Sequence, residues 1–389
     1  SQVRVLIAGA GPAGASLAVQ LAKAGWAVTL ADALPSPERN AYSSAALPLA
    51  DADRLGIPGA CRSASWWGWQ LLDPDGLEHQ WWAADPQGVV LDFAVFRRHL
   101  WDQARRSGVE LLNGWRVQLD RLEARSADLI LNSADQQQHR TVDLVVDATG
   151  PGRHLLKQAG VPVESTDDPL LKGDGVEWLL QGDRGNTARW RERVSFMLGR
   201  EWMPHGYGWV FPMAQDRLKV GVCRLAPPDQ PKVPLGTSLR RLLKRCDLDR
   251  LPVLDRHGGR VASTIRQQQP HGTGALWAVG DAAGTANLLG GEGIRHAIDS
   301  ASVLSECLLL GRSHRGYQAA LRQRYGWRWA VSNRLARRTW WGLNTPKADH
   351  RMQRLIHGLS GQASAEDLSE LLFGYRFERY GWRLLPYLN

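Results

Sequence analysis

Val3-Arg4-Val5-Leu6-Ile7 is a short apolar run closed by glycines, which predicts a buried strand. From about Ala13 to Ala24 apolar residues recur at helical spacing and stop at Gly25, and Ala27-Val28-Thr29-Leu30 follows at once. Residues 3–32 thus predict a strand, helix and strand in a βαβ arrangement. Val89 to Leu91 predicts a further short strand, and Asp92 to Arg106 a helix. Between Val109 and Val146 short apolar stretches separated by polar turns predict a meander ending on Leu144-Val145-Val146, which lacks alternation and suits a strand buried on both faces.

The pattern changes after Pro162. Up to Gln269 several runs alternate apolar and polar residues, as in Lys219-Val220-Gly221-Val222, which predicts an antiparallel sheet with one face covered. Ala275 to Val279 is another continuous apolar strand; Gly280-Asp281 leads from it into a glycine-rich turn and a helix from about Gly293 to Leu310. Beyond Gly311 the chain reads as helices with a break from Gly342 to Lys347. The expected class is α/β (α+β), with a discontinuous α/β domain over 1–161 and 270–311, an interleaved antiparallel-sheet substrate domain over 162–269, and a helical region over 312–389.

At 389 residues, with 43% hydrophobic and 22% charged residues, the composition is that of a globular chain, not a disordered or fibrous one. Cys61, Cys223, Cys246 and Cys307 have no CxxC spacing and no histidine partners at ligand spacing, so neither a metal site nor a disulfide framework is expected. No signal-peptide pattern and no apolar run near the roughly 20 residues needed to cross a bilayer is present, which points to the cytoplasm.

Gly9-Ala10-Gly11-Pro12-Ala13-Gly14 follows a predicted strand and opens a helix. In that context Gly9 permits a tight turn, Gly11 lets the backbone approach a pyrophosphate, and Gly14 lets helix and strand pack closely. The helix N-terminus, including Ala13, then favours the phosphate charge. Asp32 ends the second strand, where a carboxylate accepts from an adenosine ribose. This is a Rossmann-like dinucleotide site, and by itself it leaves NAD and FAD open.

Asp147-Ala148-Thr149-Gly150 and Gly280-Asp281-Ala282-Ala283-Gly284 each end a buried strand. With these motifs in order, the chain resembles the FAD-binding flavoproteins that include aromatic hydroxylases, flavin halogenases, lycopene cyclases and geranylgeranyl reductases. The resemblance implies FAD, with Asp281 at the ribityl chain and the following helix aimed at the flavin. Pro204-His205-Gly206-Tyr207-Gly208-Trp209-Val210-Phe211-Pro212 matches the PxxYxWxFP pattern of geranylgeranyl reductases, and Gly290-Gly291-Glu292-Gly293-Ile294 resembles their glycine-rich turn. Tyr207, Trp209 and Phe211 alternate on an extended segment and offer one broad apolar wall. His205 and His296 flank these two motifs, and His205 and Glu292 complete the candidate catalytic set.

Two places depart from that family. Asn40 to Ala45 lacks its Cys-Gly pair, and Asp92-Phe93-Ala94-Val95-Phe96-Arg97 puts Phe93 and Arg97 where the family has Arg and Asp, so a flavin contact is expected either to be lost or to be taken over by Arg97 or Arg98. No lysine occurs between Lys23 and Lys157, which speaks against halogenation. No second glycine fingerprint is visible, so the reductant is expected to be transient NAD(P)H or a small electron carrier. The resemblance implies reduction of a carbon–carbon double bond in an isoprenoid substrate; hydroxylation of an electron-rich ring, or a non-redox role as a cyclase or maturation partner, are the alternatives.

Charge is uneven. Between Arg312 and Arg354 eleven Arg or Lys face one acid, Asp349, for a net of about +10 against +9 for the whole chain. Trp327, Trp329, Trp340 and Trp341 lie among these arginines, as in helices that rest on an anionic membrane surface. No nucleic-acid-binding module is recognisable.

Overall fold

The computed structural model describes residues 2–41, 43–162 and 168–377, so the last part of the predicted helical region, 378–389, lies outside them. Arg4–Ala8 forms the middle of a six-stranded sheet. Ala27–Asp32 and Leu144–Asp147 flank it in parallel, Leu276–Ala278 lies beyond the latter and Glu110–Asn113 beyond the former, and Gly272–Thr273 closes one edge. Ala8 is opposite Asp147, and Asp147 opposite Ala278. That register brings the carboxyl ends of three strands to one edge, so the three glycine-containing turns emerge side by side, the usual ligand position in such sheets.

Helices Pro12–Lys23, Phe93–Arg106 and Ile294–Leu309 cover one face, burying Leu17, Leu21, Phe96, Trp101, Ala301 and Leu304 against Ile7 and Leu30. Asp92 caps the second of these helices by accepting from Val95 N. The other face packs on a three-stranded antiparallel sheet whose Leu129 and Leu131 meet Leu6 and Val145.

The second large sheet has seven strands, in the order Val253–Ser263, Leu171–Gln181, Arg217–Arg224, Gly206–Pro212, Arg193–Leu198, Gly68–Leu72 and Glu78–Trp82. Its last two strands come from outside the 162–269 stretch; Gly68–Leu72 joins Arg193–Leu198 in parallel, and the remaining pairs are antiparallel. The alternating pattern predicts one covered face, but both are covered. Helix Leu235–Arg245 packs Leu239 and Leu242 onto Val210, Leu218, Val220 and Val222. The opposite face meets the C-terminal helices, and every residue of Gly206–Pro212 is buried.

Those helices are His314–Gly342, Pro346–Gln362 and Ala365–Leu372. The first breaks at Gly326, whose φ of 71° and ψ of −172° suit glycine and turn the helix axis. Trp329 and Trp340 are core residues, their indoles donating to the Thr264 and Leu288 carbonyls. Among the described residues no helix is long and apolar enough to cross a membrane.

Candidate functional site

A cavity of about 650 Å³ lies where the three strand ends meet, lined among others by Gly9, Gly11, Asp32, Arg97, Gly150 and Asp281. Its first wall is the glycine turn. A Cβ on Gly14 would stand 1.8 Å from the Gly9 carbonyl oxygen, so helix and strand approach as closely as only glycine allows, whereas beside Gly11 there is open space. Asp32 uses Oδ2 to accept from Ala10 N at 2.7 Å and Oδ1 from Leu34 N at 2.8 Å, which braces the turn while the carboxylate stays on the cavity wall. Ala13 borders both this cavity and Gly280, whose added Cβ would meet the Ala13 Cβ at 2.7 Å.

Asp281 and Asp147, read together from their motifs, differ in kind. Asp147 is fully buried and accepts from Thr149 N, Thr149 Oγ1, Leu155 N and Leu156 N. It is not on the cavity wall, so in place of the expected cofactor contact it has a positioning role. It shapes the Gly150 turn, and Gly150, with φ of 83°, does line the cavity. Asp281 faces the cavity and accepts one bond, 3.3 Å from Ala262 N. Burial pushes its carboxyl up to about 7. A desolvated carboxylate with one long hydrogen bond suits hydroxyl donors, which a ribityl chain carries. The open space at Gly11, the helix N-terminus and this carboxylate together fit FAD. Arg97 also lines the cavity, but its guanidinium donates to the Pro37 and Arg39 carbonyls, fixing the loop before Asn40.

A second, apolar cavity of about 220 Å³ lies against the seven-stranded sheet. Trp69, Phe196, Tyr207, Phe211, Trp340 and Phe373 form much of its wall, with Glu292, Arg338 and Arg351 among its polar members. A smaller space of about 60 Å³ shares Tyr207 and Phe211 with it and adds Trp209, Cys223, Gly173 and Gly175. Trp209 is thus on the smaller space only; its ring packs over Gly221, where a Cβ would come within 2.2 Å.

The Gly290–Gly293 turn links the cavities. Gly290 and Gly291 face the apolar spaces and not the nucleotide cavity. Gly291 has φ of 60°, and a Cβ there would lie 2.9 Å from the Tyr207 hydroxyl. Gly293 caps the helix that follows, and its added Cβ would lie 3.3 Å from Asp281 Oδ1. Asn287 and Glu292 close the turn with backbone bonds in both directions. Ile294 packs half-buried against the core of the nucleotide domain, away from the cavity walls.

His205 departs from its expected catalytic place. Its Nδ1 lies 3.0 to 3.1 Å from the Trp341 and Trp340 carbonyls, its backbone N donates to Leu343 O, and it lines none of these cavities. It holds the end of helix His314–Gly342 to the sheet. Glu292 is in place on the apolar wall. Burial alone would raise its carboxyl, but Arg295 and then His296 outweigh this and hold it down at about 2.

Three groups important to the site escaped the sequence. Lys219 is buried and donates to the carbonyls of Ser43, Ser44 and Leu91, pinning the loop that borders both apolar spaces. Its ammonium is desolvated, which lowers its pKa. Glu177 accepts from the Trp209 indole at 2.9 Å and lies 2.8 Å from His257 Nε2. Arg295 and Tyr375 both reach the Glu292 carboxylate. A signal existed for Lys219: it shares strand parity with Gly221, on the side facing Tyr207, Trp209 and Phe211.

No family model matches the chain. It is 24% identical over 385 residues to the digeranylgeranylglycerophospholipid reductase of Methanothrix thermoacetophila, 94% of this chain and 93% of that one. It is 28% identical over 225 residues to the enzyme of the same name from Haloferax volcanii, covering 56% of this chain and 53% of that one. A geranylgeranyl bacteriochlorophyll reductase-like structure from Thermoplasma acidophilum superposes with a TM-score of 0.80 at 19% identity, over 100% of both chains. A halogenase in complex with FAD gives a TM-score of 0.66 at 15% identity, over 96% of this chain and 86% of that one. The fold is therefore the one shared by geranylgeranyl-reductase-like proteins and FAD-binding halogenases.

Proposed function

We propose that this chain is an FAD-dependent oxidoreductase that reduces a carbon–carbon double bond of a long apolar, isoprenoid substrate. The observation that carries the reading is the aromatic-walled cavity joined to the nucleotide cavity by one glycine turn, with Gly291 against Tyr207 and Gly293 against Asp281. FAD, when bound and reduced, supplies the hydride. The chain's own part is placement and exclusion of water: Tyr207 and Phe211 give a flat wall, Lys219 fixes the bordering loop, and the C-terminal helices close the far side. Similarity to reductases named for geranylgeranyl lipids supports this substrate class.

Transient NAD(P)H or a small electron carrier is the proposed reductant. The basic segment 312–354 is proposed to rest on an anionic membrane that stores the substrate, since Arg338 and Arg351 stand on the cavity wall. Trp327 is 58% exposed and remains open to such contact, whereas Trp329 and Trp340 are buried in the fold.

The test is anaerobic. Reduced protein mixed with geranylgeraniol is expected to reoxidise at a substrate-dependent rate and yield a product with fewer double bonds by mass spectrometry. Failure with every isoprenoid tried, together with oxygen-dependent hydroxylation of added phenols or indoles, replaces this reading with a monooxygenase, which the aromatic walls of the cavity favour as second choice.

A further inference from the structure

The two oxygens of Glu292 meet different surroundings. Oε1 faces Arg295 Nε at 3.1 Å and His296 Nε2 at 3.0 Å, and also accepts from Arg295 Nη2 and the Tyr375 hydroxyl. Oε2 is buried and has no hydrogen-bond partner among the described residues. The side chain is 8% exposed and belongs to the wall of the larger apolar cavity, among aromatic rings.

An ionised oxygen buried without a donor is strongly unfavourable, and no described residue of the wall, Arg338 and Arg351 included, donates to this one. With no donor among the described residues, the role falls to an occupant of the cavity. Arg295 already forms the ion pair with this carboxylate. A second cation would have to be desolvated without an unpaired charge to meet, so a neutral donor suits the position better.

We propose that Glu292 is a specificity-determining residue whose Oε2 accepts a hydrogen bond from a neutral O–H or N–H of the ligand. The ligand is then a largely apolar, unsaturated or aromatic molecule with one such donor in its buried part, and not a plain hydrocarbon. This rests on the reading of the apolar cavity as the substrate site.

Matched probes test it on the FAD-loaded protein: 2-naphthol against 2-methoxynaphthalene, and indole against 1-methylindole, with affinity measured calorimetrically. The donor-bearing member of each pair is expected to bind roughly 10- to 100-fold more tightly, as for a buried acceptor gaining or lacking its partner. In Glu292→Gln the amide oxygen has to stay opposite Arg295, which puts the NH₂ where Oε2 was, so the preference collapses. Tyr375→Phe alters only the Oε1 side and keeps it. Equal affinities within each pair in the unmodified protein, or a Gln variant that retains the preference, overturn the proposal, and the unmodified protein decides alone if the variant does not fold. Loss of flavin from Glu292→Gln with an unchanged preference places Oε2 on the cofactor and overturns it too. Binding of neither probe counts against the cavity as a ligand site, and so against both readings.

Discussion

Trp209 donates its indole N–H to Glu177 at 2.9 Å, across the strand that separates them. Glu177 is fully buried, so this bond and the one to His257 satisfy a carboxylate that has no access to water. Trp209→Phe leaves Glu177 Oε2 without its donor. The expected loss is roughly 1–3 kcal/mol of stability in urea unfolding, with affinity for apolar ligands nearly unchanged. Tyr207→Ala, on the wall of the larger cavity, is expected to weaken ligand binding as well. Equal effects of the two substitutions on binding would contradict this division.

Gly11 and Gly14 separate cofactor binding from folding. A valine at Gly11 enters open space where a pyrophosphate belongs, so Gly11→Val is expected to fold and purify without flavin. Gly14→Ala drives a Cβ into the Gly9 carbonyl and is expected to lower the melting temperature directly. Flavin released from the unmodified protein should run as FAD on chromatography; FMN would contradict the assignment of this turn.

Asp281 gives a pH dependence with a definite sign. Its carboxyl is raised from 3.8 to about 7 in the folded apoprotein, so its contribution to stability is full below about 4 and is lost as pH rises towards 7. Hydroxyl donors from the cofactor favour the ionised form, so binding releases a proton and FAD affinity should rise with pH across that window. Reconstitution of apoprotein at several pH values measures it. Asp281→Asn should flatten the profile; an unaltered slope would remove Asp281 from the cofactor site.

Membrane attachment through 312–354 should respond to salt. Basic residues near an anionic surface contribute about 1 kcal/mol each, and the attraction decays within about a Debye length. Co-sedimentation with anionic vesicles is expected to fall at high ionic strength, and to fall further when Arg322, Arg334, Lys347 and Arg354 are replaced by glutamine. All four are exposed in the structure. Indifference to vesicle charge would leave the segment as a solvated helical face.

What the sequence made legible was local. The glycine turn, the two later strand-end motifs and the aromatic strand were readable because each demands a backbone conformation or an alternation that shows within a few residues. Asp147 and His205 sit in the right motifs, yet side-chain direction turns both into anchors. Lys219, Glu177 with His257, and Arg295 with Tyr375 were missed because their partners are brought near by strand register or by the last helices, and periodicity does not reveal which partner lies across a sheet. The same limit hid the burial of Trp329 and Trp340.

The order of strands also constrains how the protein is made. Gly68–Leu72 pairs in parallel with Arg193–Leu198, and Leu144–Asp147 waits for Leu276–Ala278. A chain emerging from the ribosome therefore carries unpaired, apolar strand edges until Leu276–Ala278 has been synthesised, and Asp281 follows only after that pairing. Cofactor capture is thus a late event in biosynthesis. Shortage of riboflavin should therefore show as a pool of completed, folded apoenzyme that takes up FAD once it is supplied.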